Sequence, residues 1–105
     1  MPFIDTRTIK AVEKRPGWRG RIFSSPSMTF AHWEFEAGSS IHRHDHEQEE
    51  VWHIIEGELE VTIDGVTKRA GPGMVAIVPR HTAHEVRALT NGKAIVCDHP
   101  VRPDF

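Results

Sequence analysis

The chain holds one cysteine, no tyrosine and no apolar run that approaches the length of a membrane span. A single thiol excludes a disulfide framework and suits a reducing compartment. Without about 18 consecutive apolar residues no transmembrane helix is expected. The first residues, Met1-Pro2-Phe3-Ile4-Asp5, lack the charged start and apolar stretch of a signal peptide. No excess of one charge is present either: 13 basic against 15 acidic residues leave a formal charge of -2. That balance offers no electrostatic footprint for nucleic acid. No Ser/His/Asp arrangement and no phosphate-cradling glycine loop occurs. The expectation is a soluble, cytoplasmic protein that binds neither nucleic acid nor membrane. Its 105 residues form one domain, 1–105, with a core over about 20–98 and short terminal arms. A domain of this size buries roughly 65% of its unfolded surface, enough for one core. What the chain has in plenty is histidine, eight residues in all.

Eight glycines and seven prolines punctuate the sequence, and no apolar pattern of helical period persists beyond about two turns. A helix is expected at most near Thr6 to Lys14. Leu59 to Ile63, Asp64-Gly65 and Val66 to Arg69 read as a hairpin with a type I′ turn. Arg87 to Leu89 and Lys93 to Cys97, around Thr90-Asn91-Gly92, read as a second. Met74 to Val78 reads as a buried strand, Val51 to Ile55 as another, and Met28 to Glu36 as a strand rich in aromatic residues. Short strands between frequent turn signals predict an all-β sandwich or small barrel. Lys14, Arg15, Arg19 and Arg21, interrupted by Pro16-Gly17 and Gly20, read as a solvated loop.

His42, His44 and His46 alternate. On a strand, alternate side chains share a face, so three imidazoles would converge, a poor packing surface but a good metal-ligand set. Strand parity also puts Trp52 and Ile54 on the side of Glu50, with Val51, His53 and Ile55 opposite. Likewise Val86 and Ala88 share the side of His84. For Met28 to Glu36, parity separates Met28, Phe30, His32, Glu34 and Glu36 from Thr29, Ala31, Trp33 and Phe35 but leaves the inward set open.

The spacing Gly38-x5-His44-x-His46-x3-Glu50-x6-Gly57 resembles the first motif of the cupin superfamily, and Gly73-x5-Pro79-x4-His84 resembles the second. The resemblance implies a double-stranded β-helix, or jelly-roll barrel, of RmlC-like type. It also implies one metal ion per chain, held by His44, His46, Glu50 and His84. The second motif usually has Gly where His81 stands, so His81 either crowds a turn or reaches the site. A narrower resemblance is to small single-domain cupins of the pectin-degradation type. These share the run His42 to Gln48 and a tail like Pro100-Val101-Arg102-Pro103-Asp104-Phe105. In that type a Gln takes the fourth-ligand place; here eight residues separate Gln48 from Gly57, and Glu50 has the six-residue spacing. A register using His42, His44 and Gln48 remains an alternative, against the Gly57 spacing.

Three imidazoles and a carboxylate suit a divalent transition metal, Mn, Fe, Co, Ni, Cu or Zn, rather than Ca or Mg. The expected activity is metal-dependent: a proton shift, ring opening or elimination (isomerase or lyase) on a small oxygen-rich substrate such as a sugar acid, enol or carbonyl compound. His42, His81 and Asp98 are candidate acid/base groups, and Arg102 a candidate anion-binding group. A dioxygenase acting on an enolic or phenolic substrate, and a non-catalytic sensor or binding protein, are the alternatives. Resemblance to small cupins implies a homodimer, with Trp18, Trp33 or His53 at the interface. Cys97 is expected to be a buried small hydrophobe.

Overall fold

Ten strands carry the chain from Val12 to His99 in the computed structural model, which describes residues 2–103 and 105. Met1 and Asp104, the latter part of the tail motif, lie outside the described residues. In order the strands are β1 (Val12–Arg15), β2 (Trp18–Ser24), β3 (Thr29–Phe35), β4 (Ser40–His44), β5 (Glu49–Glu56), β6 (Leu59–Ile63), β7 (Val66–Ala70), β8 (Val75–Val78), β9 (His84–Ala88) and β10 (Gly92–His99). One sheet has six strands in the order β1-β2-β3-β10-β5-β8, the other four in the order β4-β9-β6-β7. Every pairing is antiparallel. The fold is the all-β jelly roll that the sequence predicts.

Period-two burial builds this sandwich. β3 turns Thr29, Ala31, Trp33 and Phe35 inward, which settles the parity that the sequence leaves open. β5 buries Glu50, Trp52 and Ile54, and β9 buries His84, Val86 and Ala88, as their parity predicts. Trp18 is the hub of the aromatic core. Its ring meets Trp33 and Trp52 edge-on at 5.8 and 5.9 Å and Phe35 at 5.2 Å. Trp18 and Trp33 are thus core residues and not the surface anchors expected of them, whereas His53 is exposed.

The hairpin β6–β7 forms as predicted. Ile63 faces Val66, and Asp64 and Gly65 take φ of 50° and 78°, the two left-handed positions of a type I′ turn. Other expectations change. Thr6–Thr8 makes only a 3-10 turn capped by Asp5, and the residues after it enter β1. Lys14, Arg15, Arg19 and Arg21 therefore sit on paired strands and not on a solvated loop. Thr90-Asn91-Gly92 does not close a hairpin, because β9 and β10 belong to different sheets; the turn is a corner between layers. Gly57 explains why that corner is tight. With φ 79° it packs against it so closely that a Cβ would collide with the Asn91 carbonyl oxygen. Met74 to Val78 is not buried as a run: β8 is an edge strand with Val78 buried and Ala76 packed against the core, and Met74, Val75 and Ile77 are exposed. Cys97 is half-buried on the outer face.

Candidate metal centre

His44 ends β4, His46 follows in the β4–β5 loop, Glu50 lies on β5 and His84 opens β9. A β-bulge brings the first of these inward. Ile41 pairs with Val86, so regular pairing would set residue 43 opposite His84; the register shifts between Ile41 and His44, and His44 takes that place. The same bulge breaks the parity expected of the histidine triplet. His42 is exposed, while His44 and His46 are half-buried and His84 is fully buried.

The three remaining rings have their tautomers fixed by the backbone. Nδ1 of His44 donates to the His42 carbonyl at 2.8 Å, Nδ1 of His46 to the Gln48 carbonyl at 3.0 Å, and Nδ1 of His84 to the Thr82 carbonyl at 2.8 Å. A carbonyl only accepts, so Nδ1 carries the hydrogen and each neutral ring directs its Nε2 lone pair elsewhere. The ligand atoms of His44, His46 and His84 all lie within 4.8 Å of one another. Nε2 of His46 and Nε2 of His84 are buried without a hydrogen-bond partner.

Glu50 faces these lone pairs, its oxygens 3.4 Å from His46 Nε2 and 3.1 Å from His84 Nε2. Lone pair against carboxylate is repulsive unless a proton or a cation lies between them. Cis ligands at about 2.1 Å from a metal stand about 3 Å apart, so this spacing fits one. The donor set of imidazole and carboxylate suits a divalent transition metal, and the orphaned buried nitrogens give it a reason to bind. Glu50 is positioned by Trp52, whose Nε1 donates to Oε2 at 2.7 Å in the core.

The tail completes the site. Gln48 spends its amide Nε2 on the Val101 carbonyl at 3.2 Å, and the Arg102 amide donates to Thr29 Oγ1 at 2.9 Å. The Arg102 guanidinium then reaches Glu50 and Asp98, each at 3.4 Å, and lies 4.6 Å from the centre of the Phe105 ring. Asp98 is fully buried behind Glu50 and does not line the cavity. His81 is exposed in a turn with φ 57°, its amide donating to the His46 carbonyl at 2.8 Å. That backbone explains why glycine is usual there, and the His81 side chain does not line the cavity either.

Burial works to raise the Glu50 pKa, but contacts from His46, His84, Asp98 and Trp52 hold it well below the usual carboxylate range. Asp98 moves the other way. Burial first, then the charge of Glu50 and the hydrogen bond to it, push it up to about 8 against the opposing pull of Arg102. Burial lowers His44, whereas for His84 the Glu50 carboxylate outweighs burial and raises it.

A cavity of about 240 Å³ opens onto this centre, a little below the usual range of ligand pockets, which suits a small molecule. Trp33, Ile41, Trp52 and Val86 make its apolar walls, His44, Glu50 and His84 its donor wall, and Lys14, Arg15 and Arg102 its cationic wall. The sequence gives no signal for Lys14 and Arg15 here, because only their strand pairing brings them to the site.

The family model described as "Cupin domain" matches residues 31–99. An RmlC-like cupin from Shewanella frigidimarina NCIMB 400 is 25% identical, with a TM-score of 0.93, over 100% of this chain and 96% of that one. The KdgF structure from Halomonas sp. is 25% identical, with a TM-score of 0.91, over 99% of this chain and 97% of that one. A salicylate 1,2-dioxygenase from Pseudoaminobacter salicylatoxidans shares the fold at 17% identity and a TM-score of 0.77, covering 82% of this chain and 26% of that one. Among curated proteins none matches this sequence.

Two predictions follow from the geometry. Replacing Trp52 by Phe removes the donor that positions Glu50 and should weaken metal binding by about 10- to 100-fold, the range for such supporting contacts. Calorimetric titration of zinc or cobalt into the metal-free protein measures it; unchanged affinity would contradict the role. The second concerns Asp98, whose folded pKa of about 8 stands above its ordinary value of 3.8. The native state binds the proton more tightly than the unfolded chain. Its contribution is complete below pH 3.8 and is lost as pH rises through about 8. In the metal-free protein, thermal melts should therefore weaken across that window, and Asp98→Asn should flatten the slope.

Proposed function

The chain belongs to the cupin family, and from that premise we propose that it is a metal-dependent enzyme acting on a small oxygen-rich organic acid by proton shift, ring opening or elimination. The observation that carries this reading is one cavity with two unlike walls, His44, His84 and Glu50 on one, with His46 clustered beside them, and Lys14, Arg15 and Arg102 on another. A divalent transition metal bound by His44, His46, Glu50 and His84 would supply a Lewis acid for a carbonyl, enol or carboxylate oxygen. The rest is the work of the chain. Arg102, with Lys14 and Arg15, makes the cationic wall that a substrate anion would meet. Trp33, Ile41, Trp52 and Val86 exclude water. Asp98 lies buried beneath Glu50 and accepts from the Arg102 guanidinium, which holds that side chain against Glu50. The length-spanning likeness to the Halomonas KdgF structure and the partial pectin-type motifs support a sugar acid as substrate. The lone Cys97 is compatible with a cytoplasmic setting.

Proton NMR of the metal-loaded protein with unsaturated uronates and related sugar acids tests the reading. Conversion without oxygen consumption is expected. Oxygen uptake on an enolic or phenolic panel would replace it with a dioxygenase, and a tightly held ligand recovered unchanged would replace it with a binding protein.

The same reading includes a homodimer. Across the outer face of the six-stranded sheet, strand register lines up Phe23, Phe30, Cys97, Val51 and Ile77, and beside them His32, Ile95, His53 and Val75. Its edge strand β8 carries no charge, whereas the opposite edge, β1, reads Val12-Glu13-Lys14-Arg15. An uncharged edge with exposed Val75 and Ile77 calls for cover. Five strands by about 20 Å give roughly 500 Å² in plan, before side-chain relief, approaching the ~800 Å² per partner of a standard interface. A second copy presenting the same face twofold provides a matching apolar surface. Sedimentation velocity should find a dimer in the wild type and a monomer in Ile77→Glu; a monomeric wild type would refute the arrangement.

A further inference from the structure

Lys14 and Arg15 are consecutive on a strand, yet both line the inner cavity. A regular strand sends neighbours to opposite faces. β1 escapes that rule by a bulge: Glu13 pairs with Arg19 and Arg15 with Trp18, so the register breaks between them. The Glu13 carboxylate is turned away to accept from the Gly17 amide at 3.3 Å. Among the described residues, no carboxylate lies within ion-pair distance of Lys14 or Arg15. Arg102 differs, since Glu50 and Asp98 already answer its charge.

His42, left without a place in the donor set, has one here. The Arg15 guanidinium donates to His42 Nδ1 at 3.5 Å. Arg15, His44 and Arg102 also line a second, outer cavity together with His42, so Arg15 stands where the two cavities meet. Burial, followed by repulsion from Arg102, lowers the Arg15 pKa. A half-buried guanidinium beside a second one is an arrangement that an anion relieves.

We propose that the bulged strand β1 is the anion subsite of this cavity: Arg15, oriented by His42 and backed by Lys14, grips a carboxylate of the ligand at the junction of the two cavities. Arg102 then serves chiefly to hold Glu50 and Asp98. This rests on the reading of the cavity as a site for a small organic acid and narrows its ligand class. The molecule carries a carboxylate at one end and an uncharged oxygen function, carbonyl, enol or hydroxyl, at the end that meets the donor wall. Arg15 is a binding residue and His42 a positioning residue.

Trp33 and Trp52 line the cavity, so their emission reports occupancy. The probes are D-glucuronate, D-galacturonate and pyruvate, with D-glucose as the neutral control, titrated at millimolar concentrations into metal-free and zinc-loaded protein. Wild type should bind at least one of the acids in preference to glucose. Arg15→Gln should weaken that acid by about tenfold or more, the loss of one charge-assisted contact, with zinc affinity unchanged. Arg15→Lys should recover only part of it, because it keeps the charge and loses the fork. His42→Ala should weaken the acid, and His42→Gln, whose amide oxygen can accept from Arg15, should restore it. Binding of no acid by the wild type, or equal binding by wild type and Arg15→Gln, would overturn the subsite. Acid binding that depends on Arg15 without any turnover would support the subsite and sink the enzymatic reading instead, so the two failures are told apart.

Discussion

A carboxylate buried in the middle of an apolar sandwich is the constraint around which this protein is arranged. Glu50 sits on β5, flanked by β10 and β8, on the inner face it shares with Trp52 and Ile54, where an unpartnered charge is prohibitively costly. Its cost is offset by neighbours from five separate parts of the chain: Trp52 from its own strand, Asp98 from β10 and Arg102 from the tail, and, once a proton or cation lies between, His46 from a loop and His84 from the other sheet. Each of those partners is itself held in place. The Nδ1 bonds of the histidines fix their rings, Gln48 and Thr29 fix the tail, and Trp18 packs against Trp52. A substitution far from the cavity can therefore disturb the centre by releasing one of these supports.

Much of this was legible in the sequence, for a physical reason: spacing survives folding wherever the backbone is regular. The alternation of Glu50, Trp52 and Ile54 along β5 and the Asp64-Gly65 turn are local facts, and the structure realises them as local facts. Parity also assigned Trp52 and Val86 to the correct face. What failed was long-range or irregular. Thr90-Asn91-Gly92 looks like a hairpin turn, but turn chemistry does not record which sheet the next strand joins. The apolar run Met74 to Val78 looks buried, yet a strand at a sheet edge has no neighbour to bury its outer side. Nothing local told Trp18 and Trp33 from surface aromatics.

The most informative failures are the two bulges. One moves His44 inward and leaves His42 outside; the other turns Lys14 and Arg15 to the same side. Both occur on edge strands, β4 and β1, where an extra residue disturbs a single ladder. Alternation governs packing throughout the sheets and lapses at these places, where the chemistry needs a side chain that the pleat would have pointed elsewhere. Reading the sequence by strict period two therefore recovers the core and misassigns the residues around the cavity.

The position of β10 has a consequence for how the molecule is assembled. It lies between β3 and β5, pairing with both along nearly its whole length, although it comes after every other strand in the sequence. Until residues 92–99 insert, β3 and β5 are separated by an empty lane and both offer unpaired backbone along it. Closure of that lane joins segments some sixty residues apart, the kind of non-local event that makes β-rich domains slow to fold. In that interval the chain exposes two open strand edges to any other copy nearby, which is the stage at which misassembly competes with folding.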